Sequence, residues 1–141
     1  MSSEDGLDVE DIEELFVEAR LDFKRVSAST WQTSFDGETN KFLIRVAKER
    51  WGLSFSIRPY VPAPQDRACR LALYTHLLEL NRQMPYTKFT LESPHTVIFT
   101  MEIVLNKKSP LPLESAFEAF CSHADSHYLD ILNMAQERHL P

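Results

Sequence analysis

The spacing of apolar residues along the chain changes period several times, and each change marks an element. From Asp8 to about Lys24, Val9, Ile12, Leu15, Phe16, Ala19 and Phe23 recur every three or four positions, which predicts a helix with one stripe turned inward. Asp8, Glu10, Asp11, Glu13 and Glu14 crowd its first turns, where the helix macrodipole favours negative charge and a solvated acidic face is expected. The period then drops to two. Trp31, Thr33 and Phe35 alternate with Gln32 and Ser34, and Asp36-Gly37 opens a turn through Asn40. Phe42, Ile44 and Val46 form a second alternating run. After a turn at Trp51-Gly52, Leu53, Phe55 and Ile57 form a third. Three such runs joined by short turns predict an antiparallel meander, one face apolar and the other polar.

Pro59, Pro62 and Pro64 end the meander, and Pro64 suits the first position of the next helix, which is expected to run to about Met84. At 100° per residue, Cys69, Leu73, Leu77, Leu80 and Met84 share one arc of that helix. Leu71, Tyr74 and Leu78 lie in a second arc. A surface helix normally shows a single apolar stripe, so this one needs two things to pack against. The sheet is one; the other is a neighbouring helix or a second copy of the protein. After Pro85, Phe89 and Leu91 alternate with polar residues, and Ser93-Pro94-His95 turns the chain. Val97, Phe99, Met101, Ile103 and Leu105 follow on one face of the longest and most apolar strand, expected at the centre of the sheet. A loop from Asn106 to Pro112 leads to a last helix from Leu113 to about Arg138, whose buried face carries Leu113, Phe117, Phe120, Cys121, Ala124, Tyr128, Ile131, Leu132 and Ala135. The predicted order is helix, three strands, helix, two strands, helix. It describes a single α+β domain over residues 1–141, with one antiparallel five-stranded sheet packed against helices and residues 1–6 frayed.

Composition narrows the function. With 141 residues, 43% of them hydrophobic and 26% charged, the chain can bury an ordinary globular core without staples. A net charge of −6, with no cluster of basic residues to offset it, repels phosphate backbones and argues against nucleic-acid binding. No stretch approaches the ~20 apolar residues of a membrane-spanning helix, and the acidic start is no secretory signal, so the cytoplasm is the expected location. Cys69 and Cys121 make no disulfide framework and read as small packing residues.

Chemical motifs are scarce. With 3 glycines, a glycine-rich phosphate loop is hard to place. No Gly-x-Ser-x-Gly, Walker loop or Cys-x-x-Cys occurs. His123 and His127 are four apart on the last helix and could share a metal, but Ala124 stands where a zincin has Glu. A third ligand, such as Asp130, would have to join them, and a solvated helix edge explains the pair equally well. His76, His95 and His139 are isolated. The expectation is no catalytic residue, no cofactor and no metal. On the polar side of the strands, Arg45 and Arg58, with Lys41, Lys88 and Glu92, either solvate an open face or rim a groove for a protein partner. Trp51 and Tyr60, near strand ends, could serve that partner as exposed aromatic anchors.

The Leu77-Leu78-Glu79-Leu80-Asn81-Arg82 helix end, the strand from Tyr86 through Phe89 to Leu91, and the Trp31–Phe35 and Phe42 strands resemble the YbjN-like family, described as bacterial sensory-transduction regulators. The resemblance spans roughly Ile12 to Leu132 and is similar in fold to the small acidic chaperones of type III secretion. It implies a non-enzymatic, often dimeric protein that binds other proteins, and carries no set of catalytic residues. The expected function is a homodimeric, chaperone-like or adaptor module for a protein client, with Leu71, Tyr74 and Leu78 in the self-association surface. The rival is a small-ligand sensor or enzyme with a pocket between sheet and helices.

Overall fold

The computed structural model describes residues 7–93, 95–105 and 113–136. The first helix, α1 (Val9–Glu18), begins at a capping box. The Asp8 carboxylate accepts from the Asp11 N–H, and the Asp11 carboxylate accepts from the Asp8 N–H. It stops well short of the predicted Lys24. Arg20 adopts φ +60°, the Leu21 N–H donates to the Phe16 carbonyl and the Arg20 N–H to the Val17 carbonyl. This is a Schellman ending with arginine where glycine is usual, so nothing in the composition announces it. Phe23 leaves the helix but still packs on Phe16, ring centroids 4.7 Å apart.

Six strands follow in one antiparallel sheet, in the order β1-β2-β3-β4-β6-β5: β1 (Lys24–Arg25), β2 (Thr30–Asp36), β3 (Lys41–Glu49), β4 (Gly52–Pro62), β5 (Thr87–Glu92) and β6 (Thr96–Val104). The expected count was five. The extra strand is the short β1, whose two residues pair with Trp31 and Gln32 and carry no apolar alternation to betray them. The longest strand is β4, at 11 residues, and it takes the interior place expected for β6, although β6 also has neighbours on both sides. It runs on past Pro59 because a register shift between Ile57 and Val61 absorbs the proline.

Register puts Trp31 opposite Val46, Val46 opposite Phe55, Phe55 opposite Met101 and Met101 opposite Thr87, all on one face. That face is the core. Trp31, Ile44, Leu53, Phe55, Phe99 and Phe120 are fully inside, and burying each such side chain contributes on the order of 2 kcal/mol. The second helix, α2 (Arg67–Gln83), and the third, α3 (Leu113–Ala135), supply Leu73, Leu77 and Leu80, and Phe120, Ala124 and Ile131, to the same core. The first position of α2 is Arg67, not Pro64, because Asp66 is the N-cap and its carboxylate accepts from the Cys69 N–H. The expected fraying of residues 1–6, the loop from Asn106 to Pro112 and the helix end at Arg138 lie outside the described residues.

Candidate functional site

The junction of α2 with β5 holds the sequence stretch on which the two halves of the chain meet. An edge strand such as β5 would normally present unpaired backbone groups to any passing chain. Here the Asn81 side chain closes it. Its Oδ1 accepts from the Phe89 N–H at 2.7 Å and its Nδ2 donates to the Phe89 carbonyl at 3.0 Å, as a neighbouring strand residue would. The Lys88 ammonium, read from sequence as a solvating charge, donates to the carbonyls of Asn81, Met84 and Thr87, at 3.1, 2.6 and 3.0 Å. It thereby satisfies the last carbonyls of α2 and places positive charge at the negative end of its dipole. Thr87 N–H donates to the Pro85 carbonyl. Much of the β5 edge is thus already occupied, which disfavours strand addition there.

The second apolar arc of α2 splits in two. Leu71 and Leu78 are 56% and 69% exposed, and with Thr75 and Arg82 they form one outward face. Tyr74 instead leans on the core, its hydroxyl buried and without a hydrogen-bond partner. Among the residues expected on a partner surface, Arg45 is exposed on the outer sheet face, and Trp51 is 38% exposed at the β3–β4 turn beside β6. Arg58 is engaged by Glu92 in an ion pair, and its Nε donates to the Ser56 hydroxyl. Tyr60 does not belong to that surface. It is 5% exposed, sits among Phe42, Phe89, Phe99 and Tyr128, and its hydroxyl donates to the Ala124 carbonyl. The register shift that follows Ile57 turns it inward, and burial drives its phenol pKa upward, with the charges of Tyr128 and Asp125 adding to the effect. Trp31 is likewise core, its indole N–H donating to Glu13 of the acidic helix at 2.9 Å. One carboxylate of that helix therefore has an internal partner.

The imidazoles of His123 and His127 lie parallel, centroids 6.2 Å apart, and His127 also meets the ring of Phe89. Burial lowers the His127 pKa, with the neighbouring charges of His123 and His76 pushing the same way and Asp130 opposing. Among the described residues no group of three or more His, Cys, Asp or Glu side chains could hold a metal ion. Neither cysteine is in a disulfide, and burial pushes the Cys121 thiol up to about 12, so it is no nucleophile at neutral pH. Asp125 does a structural task that the sequence did not reveal. Its carboxylate accepts from the Thr39 hydroxyl and from the N–H groups of Glu38 and Thr39, tying α3 to the β2–β3 turn, and these bonds lower its pKa. Beside it, an open groove of about 620 Å³ runs over Phe35, Phe117 and Leu129 with Glu38 and Glu118 at its margin.

The described residues thus form an α+β domain in which three helices cover one face of an antiparallel sheet, with Leu43, Trp51, Leu71 and Leu78 among the large apolar side chains left exposed. The sequence profile of the YbjN family, "Putative bacterial sensory transduction regulator", matches residues 8–133, and the chain belongs to that family. None of the curated proteins matches it in sequence. No helix among the described residues is long and apolar enough to cross a membrane.

Proposed function

We propose that this YbjN-family protein is a non-catalytic protein-binding module, a regulatory adaptor that acts as a homodimer on a protein client. The observation that carries the reading is the outward face of α2. Leu71 and Leu78, two turns apart, stand more than half exposed on a helix whose other stripe buries Leu73, Leu77 and Leu80. Two copies of a short helix face meeting about a two-fold axis would cover these leucines reciprocally. The open outer sheet face, with Arg45, Leu43 and the nearby Trp51, is the surface we assign to the client. The occupied β5 edge favours side-chain docking over strand addition. The chaperone-like element of this reading rests on the likeness in helix and strand order to type III secretion chaperones. Two cysteines that are not in a disulfide suit a reducing compartment, and we place the adaptor in the cytoplasm.

Light scattering at tens of micromolar tests the dimer. The wild type is expected at twice the chain mass and Leu78→Asp at the monomer mass; a strictly monomeric wild type overturns self-association. The client surface is tested by recovery of bound protein from the native cell. A client retained by Leu78→Asp in monomeric form but lost with Arg45→Glu supports the outer face, and equal recovery with Arg45→Glu removes it.

A further inference from the structure

A second cavity, of about 250 Å³, lies between the start of β5, the middle of β6 and the first turns of α3. Met101 and Ile103 form its sheet side, Ala116 and Ala119 its helix side, and Tyr86 and Thr87 its rim and wall. Three features separate it from a packing defect. It is larger than the ~150 Å³ cavity that suffices to hold a benzene ring. The wall contains Thr87, 1% exposed, whose hydroxyl is buried with no hydrogen-bond partner. A buried hydroxyl left unpaired is costly, and a native fold normally supplies a partner for it. Finally, Tyr86 at the rim holds φ +67° and is 66% exposed. Such a backbone persists in a residue other than glycine only where its surroundings impose it, and it often marks a functional site.

We infer that this cavity is a binding site for a small neutral aromatic molecule carrying one hydrogen-bonding group, which the Thr87 hydroxyl receives. Size sets the upper limit: one substituted ring or a fused pair of rings fits, and a long acyl chain does not. Charge is set by the wall. Among the described lining residues none is ionisable except Tyr86, so a charged ligand would lose its hydration without a counter-ion from them. Selectivity comes from the threonine, because a ring without a polar group leaves its hydroxyl unpaired. Ser115, at the helix side, offers a second hydroxyl to such a group. The site is independent of self-association through α2, since neither Leu71 nor Leu78 lines it.

Titration of the full-length chain with indole, p-cresol and toluene, followed by the methyl resonances of Met101 and Ile103, decides the matter. Saturable shifts with indole or p-cresol, about tenfold weaker with toluene, are expected for one added hydrogen bond. Thr87→Val should abolish that preference while leaving toluene binding in place. Ala119→Phe, which fills the cavity from an exposed helix position, should abolish binding of all three, with Ala116→Leu as the alternative filler if Ala119→Phe does not fold. Absence of saturable shifts with any probe overturns the site, as does binding that survives in the folded cavity-filling variant. An unchanged preference in Thr87→Val overturns the role of the hydroxyl.

Discussion

Replacing Asn81 with alanine removes both side-chain bonds that close the β5 edge and leaves the Phe89 N–H and carbonyl without their partner. Each such bond contributes about 1 kcal/mol net, and a polar group left without a partner costs about 1–3 kcal/mol when water is excluded. Asn81 is half-buried, so water reaches part of the gap, and the loss should come to about 2 kcal/mol. Urea unfolding measures it. With a slope of about 1–3 kcal/mol/M, the midpoint should fall by about 1 M while the slope stays constant. Asn81→Asp separates the two bonds, since a carboxylate still accepts from the Phe89 N–H but opposes its carbonyl. It should lose at least half as much as Asn81→Ala at neutral pH. Opening the edge should also make Asn81→Ala aggregate sooner at high concentration, because unpaired edges template pairing. A midpoint for Asn81→Ala within error of the wild type would show that the clasp does not stabilise the junction.

Other residues give equally direct expectations. Arg20→Gly relieves the positive φ at the end of α1 and should raise stability by about 0.5–1 kcal/mol in the same urea assay. Gly52→Ala should be severely destabilising, by more than about 2 kcal/mol, because Gly52 has φ +156° and an added Cβ would meet the Ile103 carbonyl oxygen at 1.9 Å. His127 has its pKa lowered in the folded state, chiefly by burial. The unfolded chain therefore binds more protons as the pH falls, so this contribution is full above about pH 6.5 and is lost below it. The urea midpoint should drop between pH 7.5 and 5.5, and His127→Gln should show a smaller drop.

Much of the fold was written in the periodicity, and what was not has physical causes. Trp31, Phe42, Phe55 and Phe99 alternate along their strands and lie where alternation puts them, on the covered face. The end of α1 was missed because Arg20, not glycine, takes the left-handed position, and Phe23 continued the helical spacing by packing back on Phe16. Strand β1 was missed because Lys24 and Arg25 are both exposed. Tyr60 misled for a related reason. A residue between prolines reads as a turn, yet the register shift carries it into the core. The candidate surfaces were legible only in part. Leu71 and Leu78 followed from helical geometry, and so did Tyr74, which the fold turns inward. The clasp by Asn81 and the anchoring of a turn by Asp125 join residues 8 and 86–87 positions apart, and no local pattern encodes such pairs.

The self-association we propose for the outward face of α2 is tested most directly by leucine methyl spectra recorded from about ten to several hundred micromolar protein. Self-association through this face requires the Leu71 and Leu78 methyls to move or broaden with concentration while those of the buried Leu73 and Leu77 stay fixed. Spectra in which all four leucines are independent of concentration, or in which change is confined to another face, would contradict it.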